Sequence, residues 1–169
     1  MTQLHIVNLS LSEIYDRIVS DRHSKYFLYG GDHSIEYFTE RFDNHSLVSC
    51  IYNNVYAGTM FVKPVNYVIY DVDFWVAKEA RKDAIYIAKE VINRFCTIVS
   101  TKYSTENNVI LRGLTPVLNR HALAFIHNIG FKQKVIHKKA CKMWKNAQYC
   151  DIVESIYNWG EKWAEAVSR

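Results

Sequence analysis

The sequence predicts a single α/β (α+β) domain over residues 1–169, built on a mixed β-sheet flanked by helices. Three observations predict it. Three β-branched and aromatic runs follow one another between residues 46 and 76, separated by turn signals. A long stretch from Ala84 repeats apolar residues at i, i+3, i+4 and i+7, the period of a helix laid with one face on a sheet. From Val109 onward the pattern alternates strand, helix, strand.

The elements follow in order. Leu4 to Leu9 alternates weakly and reads as a first strand. Ser10 or Ser12 caps a helix carrying Leu11, Ile14, Tyr15 and Ile18 on one side. Gly30-Gly31 breaks the chain, and Asp32 to Phe42 reads as a short helix with Ile35, Phe38 and Phe42 together. Ser46–Tyr52, Val55–Val62 and Tyr67–Val76 form an antiparallel meander. Asn53-Asn54, a pair that tolerates positive φ, joins its first two strands, and Pro64 to Asn66 separates the second from the third. The long helix presents Ala84, Ala88, Val91, Ile92, Phe95, Ile98 and Val99 as one stripe, with Cys96 inside the apolar pattern. Val109 to Leu114 is a short buried strand. Asn119 caps the next helix, with Ala122, Phe125, Ile126 and Ile129 inward, and Gly130 ends it in the left-handed conformation. Lys132–Lys142 and Gln148–Tyr157 close the sheet as a strand pair, and Glu161 to Val167 is a short terminal helix or tail.

Composition narrows the class. Apolar residues make up 49% and charged residues 22% of 169, which a folded core needs and a disordered chain lacks. No apolar run approaches the roughly 20 residues that span a bilayer, so a membrane role is not expected. The N-terminus has no signal-like pattern, so a cytoplasmic location is expected. The four cysteines show no metal or redox spacing, and the seven histidines no metalloprotease pattern, so no metal is expected. Net charge is +4, yet Lys132, Lys134, Lys138, Lys139, Lys142 and Lys145 fall in one stretch with no acidic residue among them. That stretch is either a surface for phosphate, nucleic acid or an acidic partner, or an edge strand defended by lysine against aggregation. Arg, the better phosphate fork, is absent there, so the edge reading is preferred and nucleic acid is not the expected partner.

Asn119-Arg120-His121-Ala122, running to Ile129-Gly130-Phe131 after a strand and before a lysine-rich one, resembles the Asn-x-x-Ala helix and Gly-Phe ending of the GNAT acetyltransferase family. The resemblance covers most of the chain and is strongest from Tyr67 to Tyr157. It implies a splayed sheet, whose third and fourth core strands part and offer backbone groups to the pantetheine arm of acetyl-CoA. It also implies a glycine-rich loop whose N–H groups hold the pyrophosphate at the start of the long helix. The equivalent run here is Val76-Ala77-Lys78-Glu79-Ala80-Arg81-Lys82-Asp83-Ala84-Ile85-Tyr86. Val76, Arg81, Lys82, Ala84, Tyr86 and Asn119 are the implied cofactor residues. Arg81 fits the family's Arg, but Ala84 and Tyr86 stand where it keeps glycine or another small residue. Asp83 adds a negative charge beside the seat, where it either caps the helix or competes with the anion. The family's acid, a Tyr, is replaced by Ile126; His121 and His127 lie on other faces and read as surface residues.

Asp71 and Asp73 share a strand face by period two and are the implied catalytic base, with Tyr67 and Trp75 as aromatic neighbours on that face. Two carboxylates this close can raise the pKa of one. Two functions therefore stand: an acyl-CoA N-acyltransferase acting on an amine, or a catalytically inactive GNAT-fold interaction or assembly protein. The Tyr- and Asn-rich, Pro-poor composition suits a phage virion or morphogenesis component, in the virion or the host cytoplasm. Either is compatible with an oligomer.

Overall fold

The computed structural model describes residues 3–21, 27, 33–105, 108–142 and 149–160. Gly30, Gly31, Asp32, Lys145 and the Glu161 to Val167 segment lie outside the described residues. The elements are β1 (Leu4–Val7), α1 (Leu11–Val19), α2 (Ile35–Phe42), β2 (Ser46–Tyr52), β3 (Val55–Pro64), β4 (Ile69–Val76), a 3₁₀ helix over Lys78–Asp83, α3 (Ala84–Tyr103), β5 (Ile110–Pro116), α4 (Arg120–Asn128), β6 (Lys132–Lys142) and β7 (Tyr149–Asn158). The strands form one sheet in the order β1-β2-β3-β4-β5-β7-β6. Every pairing is antiparallel except β4 with β5. The parallel pair follows from α3, the crossover helix between them.

Local chemistry fixes the turns. Asn53 and Asn54 take φ 50° and 64°, the left-handed pair that a tight hairpin requires. Ser10, not Ser12, caps α1: its hydroxyl accepts from the Glu13 N–H while the Glu13 carboxylate accepts from the Ser10 N–H. Gly130 takes φ 110°, and the Phe131 N–H reaches back to the Ile126 carbonyl at 3.0 Å, closing α4.

Two cores sandwich the sheet. On one face Ala88, Val91, Ile92, Cys96 and Val99 of α3 pack with Ile126 and Ile129 against Met60, Val62, Tyr70, Val72 and Leu111. On the other, Ile14 and Ile18 of α1 and Phe38 and Phe42 of α2 cover Phe61 and Trp75. Each fully buried ring or branched chain contributes about 1.5–3 kcal/mol. Ile98 departs from the expected stripe. It is 66% exposed at the margin of the buried arc, and Cys96 fills the centre instead. Tyr67 departs too: it lies in the turn before β4, 73% exposed, with its ring 5.6 Å from Tyr103 of α3.

Candidate functional site

β4 and β5 pair only where Ile69 faces Ile110, Tyr70 faces Leu111 and Asp71 faces Arg112. Beyond Asp71, β4 continues along β3 to Val76 opposite Gly58, while β5 continues along β7 to Pro116 opposite Ile152. The strands diverge, and Val72–Val76 and Gly113–Pro116 border a wedge with no ladder between them. Phe74 plugs much of it, edge-on to Phe125 at 6.0 Å and to Phe131 at 6.2 Å. The remaining cavity is about 70 Å³, lined by both strand edges and by Asn119, Ala122 and Ile126 of the α4 region.

Asp71 and Asp73 do share the face that also carries Trp75, under α1 and α2. Arg112 Nε donates to Asp71 Oδ1 at 2.6 Å and Nη2 to Oδ2 at 3.0 Å, a bidentate pair across the last shared rung. Asp73 lines the wedge, with Arg41 Nη2 of α2 at 3.7 Å. Burial pushes the Asp73 pKa above the usual carboxylate value and the Asp71 charge adds to this, while Arg41 and His45 pull it back. Tyr67 belongs to another surface and takes no part.

The run after β4 is the least expected feature. Lys78–Asp83 is wound as a 3₁₀ helix that leads directly into α3. The Ala80 N–H donates to the Ala77 carbonyl and the Ala84 N–H to the Arg81 carbonyl. The Ala84 N–H, one of the donors a pyrophosphate would use, is thereby bonded within the chain. Arg81 is paired with the nearly buried Asp21, which follows α1. Asp83 occupies the N-cap position of α3 but its side chain makes no capping hydrogen bond. Lys82 is exposed, Ala84 is buried, and Val76 ends β4 half-buried. The Tyr86 ring lies beside Tyr52 of β2 at 6.0 Å and is half exposed. Asn119 Oδ1 accepts from the Ala122 N–H at 3.1 Å and so caps α4. Ile126 is buried at the wedge, while His121 and His127 are exposed.

Sequence reasoning missed Arg112, Arg41, His45 and Asp21. For Arg112 a signal existed: a lone charge inside an apolar strand needs a partner. The others meet their partners only through the fold. Lys132–Lys142 forms an edge of the sheet, with Lys138 Nζ bound to Asp151 at 3.0 Å and His137 to Glu154 at 2.9 Å. Among the described residues no helix is long and apolar enough to cross a membrane, and no three metal-ligating side chains converge.

No protein-family model matches the sequence, and no curated protein matches it. Solved structures do resemble it. A probable acetyltransferase from Staphylococcus epidermidis is 19% identical, with a TM-score of 0.64 over 94% of this chain and 99% of that one. The spermidine N-acetyltransferase of Vibrio cholerae, solved with CoA and spermine, is 14% identical, with a TM-score of 0.66 over 94% and 95%. The ribosomal-protein-S18-alanine N-acetyltransferase of Escherichia coli is 10% identical, with a TM-score of 0.65 over 94% of each chain. With its mixed seven-stranded sheet, parted central strands and flanking helices, this chain has the fold of the GNAT acetyltransferases.

Proposed function

We propose that this chain is a GNAT-fold protein whose acetyl-CoA seat has closed and which serves as a catalytically inactive interaction or assembly protein. The observation that carries this reading is the continuous winding of Lys78–Asp83 into α3. A pyrophosphate at a helix start needs several free N–H groups on an approachable surface. Here the Ala84 N–H is already bonded within the chain, and Arg81 is held by Asp21. The carboxylate of Asp83 adds repulsion. The pantetheine arm would still find parted strand edges, but the diphosphate half of the cofactor does not fit. A role in a phage virion or its morphogenesis, in the virion or the host cytoplasm, suits the composition.

Calorimetric titration with acetyl-CoA tests this. The expected dissociation constant is no tighter than about 1 mM, or about −4 kcal/mol. Micromolar binding by the unmodified protein overturns the reading. Lys82→Gly with Ala84→Gly, which favours unwinding of the 3₁₀ turn, should tighten binding, at a stability cost of about 1–2 kcal/mol. Tyr86→Gly should add little, because its ring lies beside Tyr52 and is half exposed.

One observation favours a second reading, N-acyl transfer to an amine. The wedge is present, and Asp73, with its raised pKa, lines it. In that reading Asp73 accepts the amine proton and Arg112 fixes Asp71 as a structural neighbour. A turnover assay with acetyl-CoA and amines such as spermidine decides it: Asp73→Asn should lower the rate about 10²–10⁴-fold and Asp71→Asn much less. No turnover with any amine leaves the first reading standing.

A further inference from the structure

We propose that Cys141 and Cys150, which face each other across β6 and β7, form a reversible intramolecular disulfide. They are direct register partners on this antiparallel ladder. Such partners have Cα atoms about 4.5–5.5 Å apart, inside the roughly 4.4–6.8 Å that a disulfide spans. Being opposite, their side chains share one side of the sheet, where both are buried with Ile152 in a small cluster of their own. The two thiols are in hydrogen-bonding contact. Cys50 and Cys96 have no such arrangement. They lie on β2 and α3 in the main core, and no strand ladder pairs them.

The backbone also gives the pair a way to react. The β6–β7 register breaks between His137 and Cys141, and among the described residues the Cys141–Cys150 and Lys142–Tyr149 rungs follow it. Lys139 takes φ 48° in this break, which Asp151 fastens by accepting from the Lys139 N–H at 2.9 Å and the Lys138 Nζ at 3.0 Å. A segment beyond a bulge on an edge strand can open without unfolding the rest of the sheet. Closed, it shields Cys141: burial pushes that thiol up to about 12, so little Cys141 thiolate exists to react with passing electrophiles.

A small disulfide such as oxidised glutathione supplies the oxidant. One cysteine thiolate attacks a sulfur of that disulfide, forming a mixed disulfide and releasing one glutathione thiolate. The second cysteine then attacks the mixed disulfide, forming the Cys141–Cys150 bond and releasing the second glutathione. The two thiol protons pass to solvent and end on the two glutathione molecules. Two protein thiols are oxidised and one small disulfide is reduced, so the exchange balances.

The test uses the native, folded protein treated with oxidised glutathione and, separately, with diamide, followed by thiol counting and peptide mapping under non-reducing conditions. Four free thiols should fall to two, with one peptide joining positions 141 and 150. The melting temperature should rise by roughly 5–10 °C and return with dithiothreitol. Cys150→Ser should abolish the linkage and leave Cys141 as a glutathione adduct, and Cys141→Ser serves should the first variant fold poorly. Four free thiols after both oxidants, a linkage through Cys50 or Cys96, or covalent dimers in place of the internal bond would overturn the proposal.

Discussion

Replacing Gly58 by alanine tests the register that shapes the wedge. Gly58 pairs with Val76 at the end of β4 and takes φ 151°, a conformation that side chains rarely adopt. A Cβ there would lie 2.2 Å from the Trp75 carbonyl oxygen and 3.2 Å from the Val76 Cα. Both are backbone atoms, so no rotamer change relieves the overlap. β3 and β4 would have to part by about 1 Å to reach ordinary contact. Holding alanine in that conformation costs about 1–3 kcal/mol. Straining the neighbouring bonds, including the Ala77 N–H to the Ala57 carbonyl at 3.0 Å, adds about 1 kcal/mol each. The expected loss is about 3–5 kcal/mol, a large part of the roughly 5–15 kcal/mol of a typical domain. Gly113 is the control. A Cβ there meets only the Val72 carbonyl oxygen at 3.7 Å and a Phe131 ring carbon at 3.8 Å, so Gly113→Ala should stay within about 1 kcal/mol of the parent. Urea midpoints at unchanged m compare the two. An unchanged midpoint for Gly58→Ala, or equal losses in both, refutes the reasoning.

Phe42→Ala should cost about 3–5 kcal/mol, because the ring is fully buried and lies 4.2 Å from Phe61; Phe95→Ala, at a partly exposed position against Tyr70, should cost less, and denaturation midpoints rank them. His45, whose ring lies 5.1 Å from that of Phe42, feels the charges of Asp73, Lys63, Arg41 and Asp71, and burial holds its pKa below 6.5. Below pH 6.5 the unfolded chain therefore takes up a proton that the folded chain resists, so stability is full above pH 6.5 and falls as the pH drops. Asp73, raised above 3.8, slopes the opposite way in more acid solution. His45→Gln should flatten the fall in urea midpoint between pH 6.5 and 5, and an unchanged slope removes His45 as its cause. Lys134→Val with Lys138→Val should make the β6 edge, where Val135 and Ile136 are already exposed, associate at high concentration, as light scattering would show.

What the sequence made legible was periodic or local. The α3 stripe, the Asn53-Asn54 turn, the Gly130 stop and the shared face of Asp71 and Asp73 all follow from short-range rules. The start of β4 did not, because Asn66 Oδ1 accepts from both the Val68 and Ile69 N–H groups and holds Tyr67 in the turn. The 3₁₀ winding was partly legible: Glu79-Ala80-Arg81-Lys82 contains no glycine and is made of good helix formers. What a single sequence could not supply was partnership at distance. Asp21 meets Arg81, and Asp71 meets Arg112, only once the sheet order is known.

The wedge itself does not require a cofactor to persist. Once β4 and β5 share three rungs and then follow different neighbours, β3 and β7, they must separate. A gap of this kind costs stability unless something fills it. In this chain Phe74, Phe125 and Phe131 fill it from within, and Phe131 continues the contact to Tyr157 at 5.4 Å. The remaining space, about 70 Å³, falls well short of the roughly 300 Å³ at which ligand sites begin. In the proposed reading the pyrophosphate end is lost by a different device, the winding of Lys78–Asp83 and the Asp21–Arg81 pair, although these residues border a cavity of about 640 Å³. Aromatic packing at one end and helical winding at the other act independently, so opening the loop by Lys82→Gly and Ala84→Gly should restore anion affinity before it restores room for a thioester. Inorganic pyrophosphate should therefore gain affinity for that variant at least as much as acetyl-CoA does, and a gain confined to acetyl-CoA would show that the wedge, not the loop, is the site that opened.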